Sequence, residues 1–336
     1  MSEASPAAFS PRLDLVPTTH ARIAMLAVVI ICFVASAAAP LAVYAIAIAV
    51  FGLAHVGVEL RFVDRAFAGR LPKAFVPGVA ASVAVAAVAR LSGQTGVLTP
   101  TLAVTLELAA GVAMTVVAVV SMRRRRALAA IALTGLVLGA VFAPWETFLT
   151  LAIGHNLTPL AFVADAAPPR ERARLVGILI VPFVLLPLVI ATGWPADALA
   201  RLGLYAPEAA PLAVGSLDAN LPAYVPMRLL DTDWATSMFS ACVFAQTMHY
   251  AAVIHLLPRL VGDAPRATLA PWPARRLFAA GLVVAAAALA LVFAMDYALA
   301  RRIYALAALV HAWIEIPILL LALDRRDLSV SLKGRA

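Results

Sequence analysis

Charge is what this sequence has least of: Asp, Glu, Lys and Arg together make up 13% of its 336 residues. A soluble domain carries about 25%. With 64% of the residues hydrophobic, no aqueous fold can hide the apolar side chains, so a soluble enzyme or scaffold is excluded. Cysteine is nearly absent. Cys32 and Cys242 both fall inside apolar stretches, which excludes a disulfide framework and a cysteine-based metal site. Phosphate-binding glycine loops, dinucleotide fingerprints, G-x-S-x-G elbows and H-E-x-x-H pairs do not occur either. The polar segment Met1–Arg22 has no small-residue cleavage site, so the first apolar stretch reads as a retained helix rather than a signal peptide.

What fills the chain is apolar sequence in helix-length pieces. A helix needs roughly 20 apolar residues to cross a hydrocarbon core about 30 Å thick. Ten such segments can be drawn, near 23–39, 41–60, 74–89, 98–121, 127–143, 146–164, 175–193, 235–257, 277–295 and 303–323. Several are short or parted only by Pro40 or Pro144. The expected fold is therefore all-α, a polytopic transmembrane helical bundle of eight to ten spans, with ten favoured. Its parts are a cytoplasmic segment 1–22, a transmembrane domain 23–323 with an outer loop 194–234, and a cytoplasmic tail 324–336. In the ten-span arrangement every basic residue except Arg90, Arg201, Arg228, Arg301 and Arg302 falls on the inner side. That asymmetry places both termini in the cytoplasm and the chain in the inner membrane. The net charge of +8 thus marks topology, including the Arg123–Arg126 run, and not a nucleic-acid partner. The outer loop begins and ends in tryptophan, at Trp194 and Trp234, as interfacial segments do.

Against this background the ionisable residues inside the spans stand out. His20 precedes the first span, while the other five of the six histidines, His55, His155, His249, His255 and His311, fall within spans. Such groups are costly in hydrocarbon and mark functional sites by default. All five lie on the second, sixth, eighth and tenth segments, which run in one direction, and all fall within their cytoplasmic halves. Four separate helices thus offer imidazoles at a common depth.

Spacing sharpens the set. His55 and Glu59 stand at i, i+4, one turn apart on one face, and His311 and Glu315 repeat that spacing. An imidazole and a carboxylate so placed can share a metal, or the carboxylate can orient the ligand. His249 and His255 are separated by about 9 Å of rise and some 240° of rotation, so either two ions are served or one of the pair stands aside. Glu146, nine residues before His155 and half a rotation out of phase, is placed at the outer mouth. Glu107, in the middle of the fourth span, is a buried acid with no evident partner. Asn156 and Pro159 announce a bent helix after His155, and Tyr250 beside His249 is either an interior donor or packing.

Imidazoles with carboxylates suit iron, zinc or copper, and open positions on such a site suit non-haem iron with dioxygen. A site inside hydrocarbon implies a substrate that partitions there, such as a carotenoid, a fatty chain, a sterol or a quinone. The expected function is an iron-dependent oxygenase, with one or two ions, acting on a lipophilic molecule within membrane lipid. Two rivals use the same residues: a b-type haem protein, which leaves the carboxylates unexplained, and a proton- or metal-coupled transporter, which should show inverted repeats.

One segment adds to this reading. Gly52-Leu53-Ala54-His55-Val56-Gly57-Val58-Glu59 resembles the bacteriorhodopsin-related (Brp/Blh) membrane carotenoid dioxygenases, which carry a G-L-x-H segment with an acid four residues after the histidine. The resemblance implies a polytopic, histidine-liganded, iron-dependent dioxygenase that cleaves β-carotene to retinal. His55 would be a ligand and Glu59 would replace the family's aspartate. The chain departs from the pattern in lacking a glycine directly after His55 and in the spacing His249-x5-His255.

Overall fold

The structure is a computed structural model that describes residues 19–261 and 267–325. Most of the terminal segments, with Arg12, Arg326, Lys333 and Arg335, and the linker residues Asp263 and Arg266 lie outside the described residues. Among the described residues the secondary structure is helical, without a strand. The helices are α1 Thr19–Ala38, α2 Pro40–Arg70, α3 Phe75–Gln94, α4 Pro100–Ser121, α5 Arg126–Phe142, α6 Pro144–His155 and α7 Thr158–Ala166. They continue as α8 Pro169–Ala191, α9 Trp194–Arg201, α10 Trp234–Val261, α11 Arg275–Met295 and α12 Tyr297–Arg325.

Seven of these, α2, α3, α4, α8, α10, α11 and α12, are long and apolar enough to cross a membrane. The pair α6 and α7, bent by 46°, makes an eighth crossing if counted as one broken span, and two shorter apolar helices, Arg22–Ala38 and Arg126–Phe142, accompany them. The chain is a multi-pass membrane protein by the length and composition of its helices.

Proline does much of the punctuation. Pro40, Pro100, Pro144 and Pro169 each stand at the first position of a helix, where the missing N–H would have had no intrahelical partner and the fixed φ suits helical geometry. Hence a single proline separates consecutive spans. Pro317 instead lies inside α12. It removes one backbone donor two residues past Glu315, which loosens the helix next to that acid. A π-turn at Ala47–Phe51 interrupts α2 one turn before His55, a type of irregularity frequent beside functional groups.

Helix α10 forms the axis of the bundle. Of its most apolar stretch 72% is buried, against 11% for α8 and for α11, which present their apolar faces outward. The loop after α9 folds over one end of the bundle, where Val214, Leu217, Leu221 and Val225 pack with Leu41, Tyr44, Phe239 and Phe293. Asn220 pins it by donating to the carbonyls of Val214 and Ser216, both at 2.9 Å. Trp194 and Trp234 flank this loop with exposed rings.

The opposite end is rich in arginine and is tied by aspartates near helix ends. Asp324 accepts from the backbone N–H groups of Arg123, Arg124 and Arg125 at 2.9, 2.7 and 2.7 Å. It thereby satisfies donors ahead of α5 that have no intrahelical acceptor. Asp64 accepts from Leu269 N, Ala270 N and Trp272 Nε1 at 2.8, 3.0 and 2.7 Å.

Removing a charged acceptor from three amides should cost about 1–3 kcal/mol. Asp324→Ala is therefore expected to lower the thermal unfolding midpoint of detergent-solubilised protein, followed by far-UV circular dichroism. An unchanged midpoint would show that water replaces the carboxylate without loss.

Candidate metal centre

Four helices deliver ionisable side chains to one point in the bundle. Helix α2 brings His55 and Glu59, α6 ends on His155, α10 brings His249, and α12 brings His311. One nitrogen from each imidazole and one oxygen of Glu59 all lie within 4.8 Å of one another. His311 Nε2 faces His55 Nε2 at 3.1 Å and His155 Nε2 at 3.1 Å. Glu59 Oε2 lies 3.4 Å from His249 Nε2 and 3.8 Å from His311 Nε2. Buried are His55 at 1%, Glu59 at 0%, His249 at 0% and His311 at 2% exposure.

Hydrogen bonding alone does not account for this packing. His55 Nδ1 points at the Phe51 carbonyl at 3.4 Å, and His155 Nδ1 donates to Glu315 Oε2 at 2.7 Å. Those partners place the ring protons on Nδ1 and leave both Nε2 lone pairs aimed at His311. A single His311 Nε2–H can donate to only one of them. Neither ring nitrogen of His249 and neither oxygen of Glu59 has a hydrogen-bond partner, although all four atoms are buried. Orphaned polar atoms of this kind cost several kcal/mol, and far more when one group is a carboxylate. A cation at this point would take up one nitrogen of each ring and an oxygen of Glu59 together.

The distances fit one as well. Ligands about 2.0–2.2 Å from a shared ion stand about 3.0–3.5 Å apart when adjacent, which brackets the 3.1 and 3.4 Å separations. The group of His55, Glu59, His155, His249 and His311 can hold a metal ion.

Neighbouring residues hold this set in place. Glu315 is not in the group itself; it fixes the ring of His155, the role carboxylates commonly take behind a metal-binding imidazole. Tyr250 stacks on His55 with ring centroids 4.0 Å apart and a 25° interplanar angle. Its hydroxyl meets that of Tyr304 at 2.6 Å and accepts from Gln246 Nε2 at 2.6 Å. Tyr304 in turn lies on Gly52, where any Cβ would come within 2.8 Å of its ring. Asn156 donates back to the carbonyls of Ala152 and Ile153, both at 3.3 Å, and so tidies the break between α6 and α7.

Glu107 finds its partners outside the centre. It binds the guanidinium of Arg90 through both oxygens, with Arg90 Nε at 2.9 Å and Nη2 closing the second contact. Trp313 Nε1 donates to it at 2.8 Å. Trp313 stands on α12 between His311 and Glu315, and it lies against Gly111, where a Cβ would come within 2.1 Å of the ring. The ion pair thus steadies the ligand-bearing helix. Arg90 had read from sequence as an outer-side charge. An arginine at the end of one apolar stretch and a glutamate inside the next were the signal that they meet.

Two residues are not brought to the centre. His255 is exposed, because six residues of rotation on α10 turn it away from the face that carries His249. Glu146 lies exposed in the first turn of α6, half a rotation and two turns from His155.

Replacing His155 or His311 with alanine should abolish tight metal retention in elemental analysis of purified protein, whereas His255→Ala should keep it. Full occupancy in either of the first two variants would remove that residue from the centre. Glu315→Gln should weaken metal affinity by about 10–100-fold, and Glu146→Gln should not. A chelator-competition assay giving the reverse order would contradict the placement of Glu315.

Comparison with protein-family models, with curated proteins and with solved structures finds no match to this chain, so the reading of the centre rests on its own residues.

Proposed function

We propose that the chain is an integral-membrane oxygenase. Non-haem iron would be held by His55, His155, His249, His311 and Glu59, and the substrate is a lipophilic molecule such as a carotenoid or a fatty chain. In this reading the chain crosses the inner membrane ten times with both termini in the cytoplasm. The observation that carries it is the convergence of four imidazoles and one carboxylate, from four helices distant in sequence, within 4.8 Å. A set of nitrogen and oxygen donors without sulfur suits iron, and suits zinc or copper next. Bound iron would supply the activation of dioxygen.

The residues of the chain supply the rest. Glu59 contributes the negative charge that offsets the cation in a region without water. Glu315 keeps the Nδ1 proton of His155 and thereby aims its Nε2. Phe62, Phe162 and Trp313, all buried, help to exclude water, which protects reactive species from side reactions. The resemblance of Gly52–Glu59 to the Brp/Blh carotenoid dioxygenases points the same way, toward a polyene and toward His55 as a ligand.

Substrate would approach beside His155. Its side chain is 16% exposed, while Glu315 behind it is at 1% and the remaining ligands are at 0–2%. No residue of α6 is buried, and a Cβ on the adjacent Gly154 would meet no atom within 4 Å. The broken span thus leaves room on the side where His155 is open. A haem reading fits less well, because imidazole nitrogens 3.1 Å apart leave no slot for a macrocycle between them. Transport fits less well too, since the cluster is closed on every side but this one.

Iron-loaded protein in lipid nanodiscs, given a polyene or an unsaturated fatty chain, should consume dioxygen and form an oxygen-labelled product under 18O2. Gly154→Phe should retain its iron and lower turnover of a bulky polyene by about tenfold or more. Failure of every such substrate to support oxygen uptake by the iron-loaded protein would overturn the oxygenase reading. Undiminished turnover in Gly154→Phe would overturn the approach beside His155.

A further inference from the structure

A second feature lies on the other flank of α2. A cavity of about 600 Å³ runs between α2, the end of α10 and α11, within the ~300–1,000 Å³ range of ligand sites. Each helix contributes a stripe at three- and four-residue spacing. Val50, Ala54, Val58, Arg61 and Arg65 come from α2, and Ile254, Pro258 and Val261 from α10. Arg275, Phe278, Leu282, Ala286 and Ala290 form the α11 wall. The α2 stripe covers fifteen residues of rise, about 22 Å. That is long enough for an extended acyl chain.

Chemistry is divided sharply along this groove. Apart from Arg61, Arg65 and Arg275, every lining residue is apolar, and none is acidic. Helices α2 and α11 run antiparallel, so Arg65 near the end of one and Arg275 at the start of the other lie at the same end. The arginine end is also built. Arg61 stands over the ring of Phe278 at 4.4 Å. Phe278 meets Trp272 edge-on at 5.6 Å, and Trp272 is held by its 2.7 Å hydrogen bond to Asp64. Along its length the groove opens sideways, with Val50 45%, Phe51 43% and Val283 68% exposed.

We infer that this groove is a binding site for one anionic phospholipid, its phosphate at Arg61, Arg65 and Arg275 and one acyl chain along the apolar walls. Guanidinium groups match phosphate geometry, and basic side chains at a membrane surface favour anionic lipid. Walls without a hydrogen-bonding side chain reject a ligand that is polar along its length. The lateral opening lets the second acyl chain stay in the bilayer, which favours a phospholipid over a free fatty acid. None of the residues that would hold the metal lines the groove, and the site stands whether or not that centre binds iron.

Native mass spectrometry of the full-length protein in neutral detergent tests it, with phosphatidylglycerol, phosphatidylcholine and oleate as probes. One phosphatidylglycerol should bind per chain, about tenfold or more tighter than phosphatidylcholine. The doubly substituted Arg61→Gln, Arg65→Gln protein should lose that preference, and Ala286→Phe, which fills the apolar wall, should weaken binding of both phospholipids. Far-UV circular dichroism and metal content serve as folding controls, and the Ala286→Phe arm decides if the arginine variant misfolds. Equal binding of the two phospholipids, or unchanged binding in correctly folded variants, would overturn the proposal. Displacement of phosphatidylglycerol by oleate at equal concentration, with the same arginine dependence, would also overturn it and assign the groove to a free carboxylate.

Discussion

A carboxylate sealed inside a bilayer-spanning bundle needs a cation beside it, and the centre of this protein is organised around that constraint. Glu59 is fully buried and neither of its oxygens is hydrogen-bonded. Imidazole nitrogens of His249 on α10 and His311 on α12 stand 3.4 and 3.8 Å from one of its oxygens. Left to themselves, these groups would pull water or protons into the core, or push the helices apart. One shared ion would satisfy the carboxylate and the ring nitrogens that face it at the same time. It would also tie together the four helices that carry these groups.

The rest of the bundle reads as support for that meeting. Helix α12 carries His311 and Glu315, and between them Trp313 reaches Glu107 at 2.8 Å, which Arg90 neutralises. The bare backbone of Gly111 gives Trp313 its seat. Helix α2 is held in the same way, by the Tyr250 ring against His55 and by Tyr304 against Gly52. Loosely packed elements lie at the edge, where α8 and α11 face outward and α6 ends on the one ligand with an open side. Rigid placement of the ligands and an accessible flank on a single side are what a centre acting on a membrane-dissolved molecule requires.

Helix positions were legible because hydrocarbon forces apolar runs of a fixed length: nine of the ten segments drawn from sequence each fall on one continuous helical stretch, and 146–164 falls on the broken pair α6 and α7. The common depth of His55, His155, His249 and His311 was legible for the same reason, since depth follows from counting residues along a span. Rotation was less so. The 240° between His249 and His255 said that they could not share an ion, yet only the packing of α10 decides which one faces inward. The equal H-x3-E spacings on α2 and α12 hid a difference. Glu59 reaches the imidazole cluster itself, whereas Glu315 accepts from the Nδ1 side of His155 at 2.7 Å, and which of the two carboxylates does so depends on which helices face each other. Pairings across the bundle, such as Arg90 with Glu107, depend on which helices are neighbours, and one sequence carries that only as two misplaced charges.

X-ray absorption at the edge of the metal that copurifies with the protein tests the central claim most directly. A single ion is expected, with nitrogen and oxygen scatterers at about 2.0–2.2 Å and the outer-shell pattern of several imidazole rings, lost together when His249 is replaced. A sulfur shell, a porphyrin pattern, or protein that carries no stoichiometric metal under any purification condition would contradict a histidine- and glutamate-held ion at the heart of the bundle.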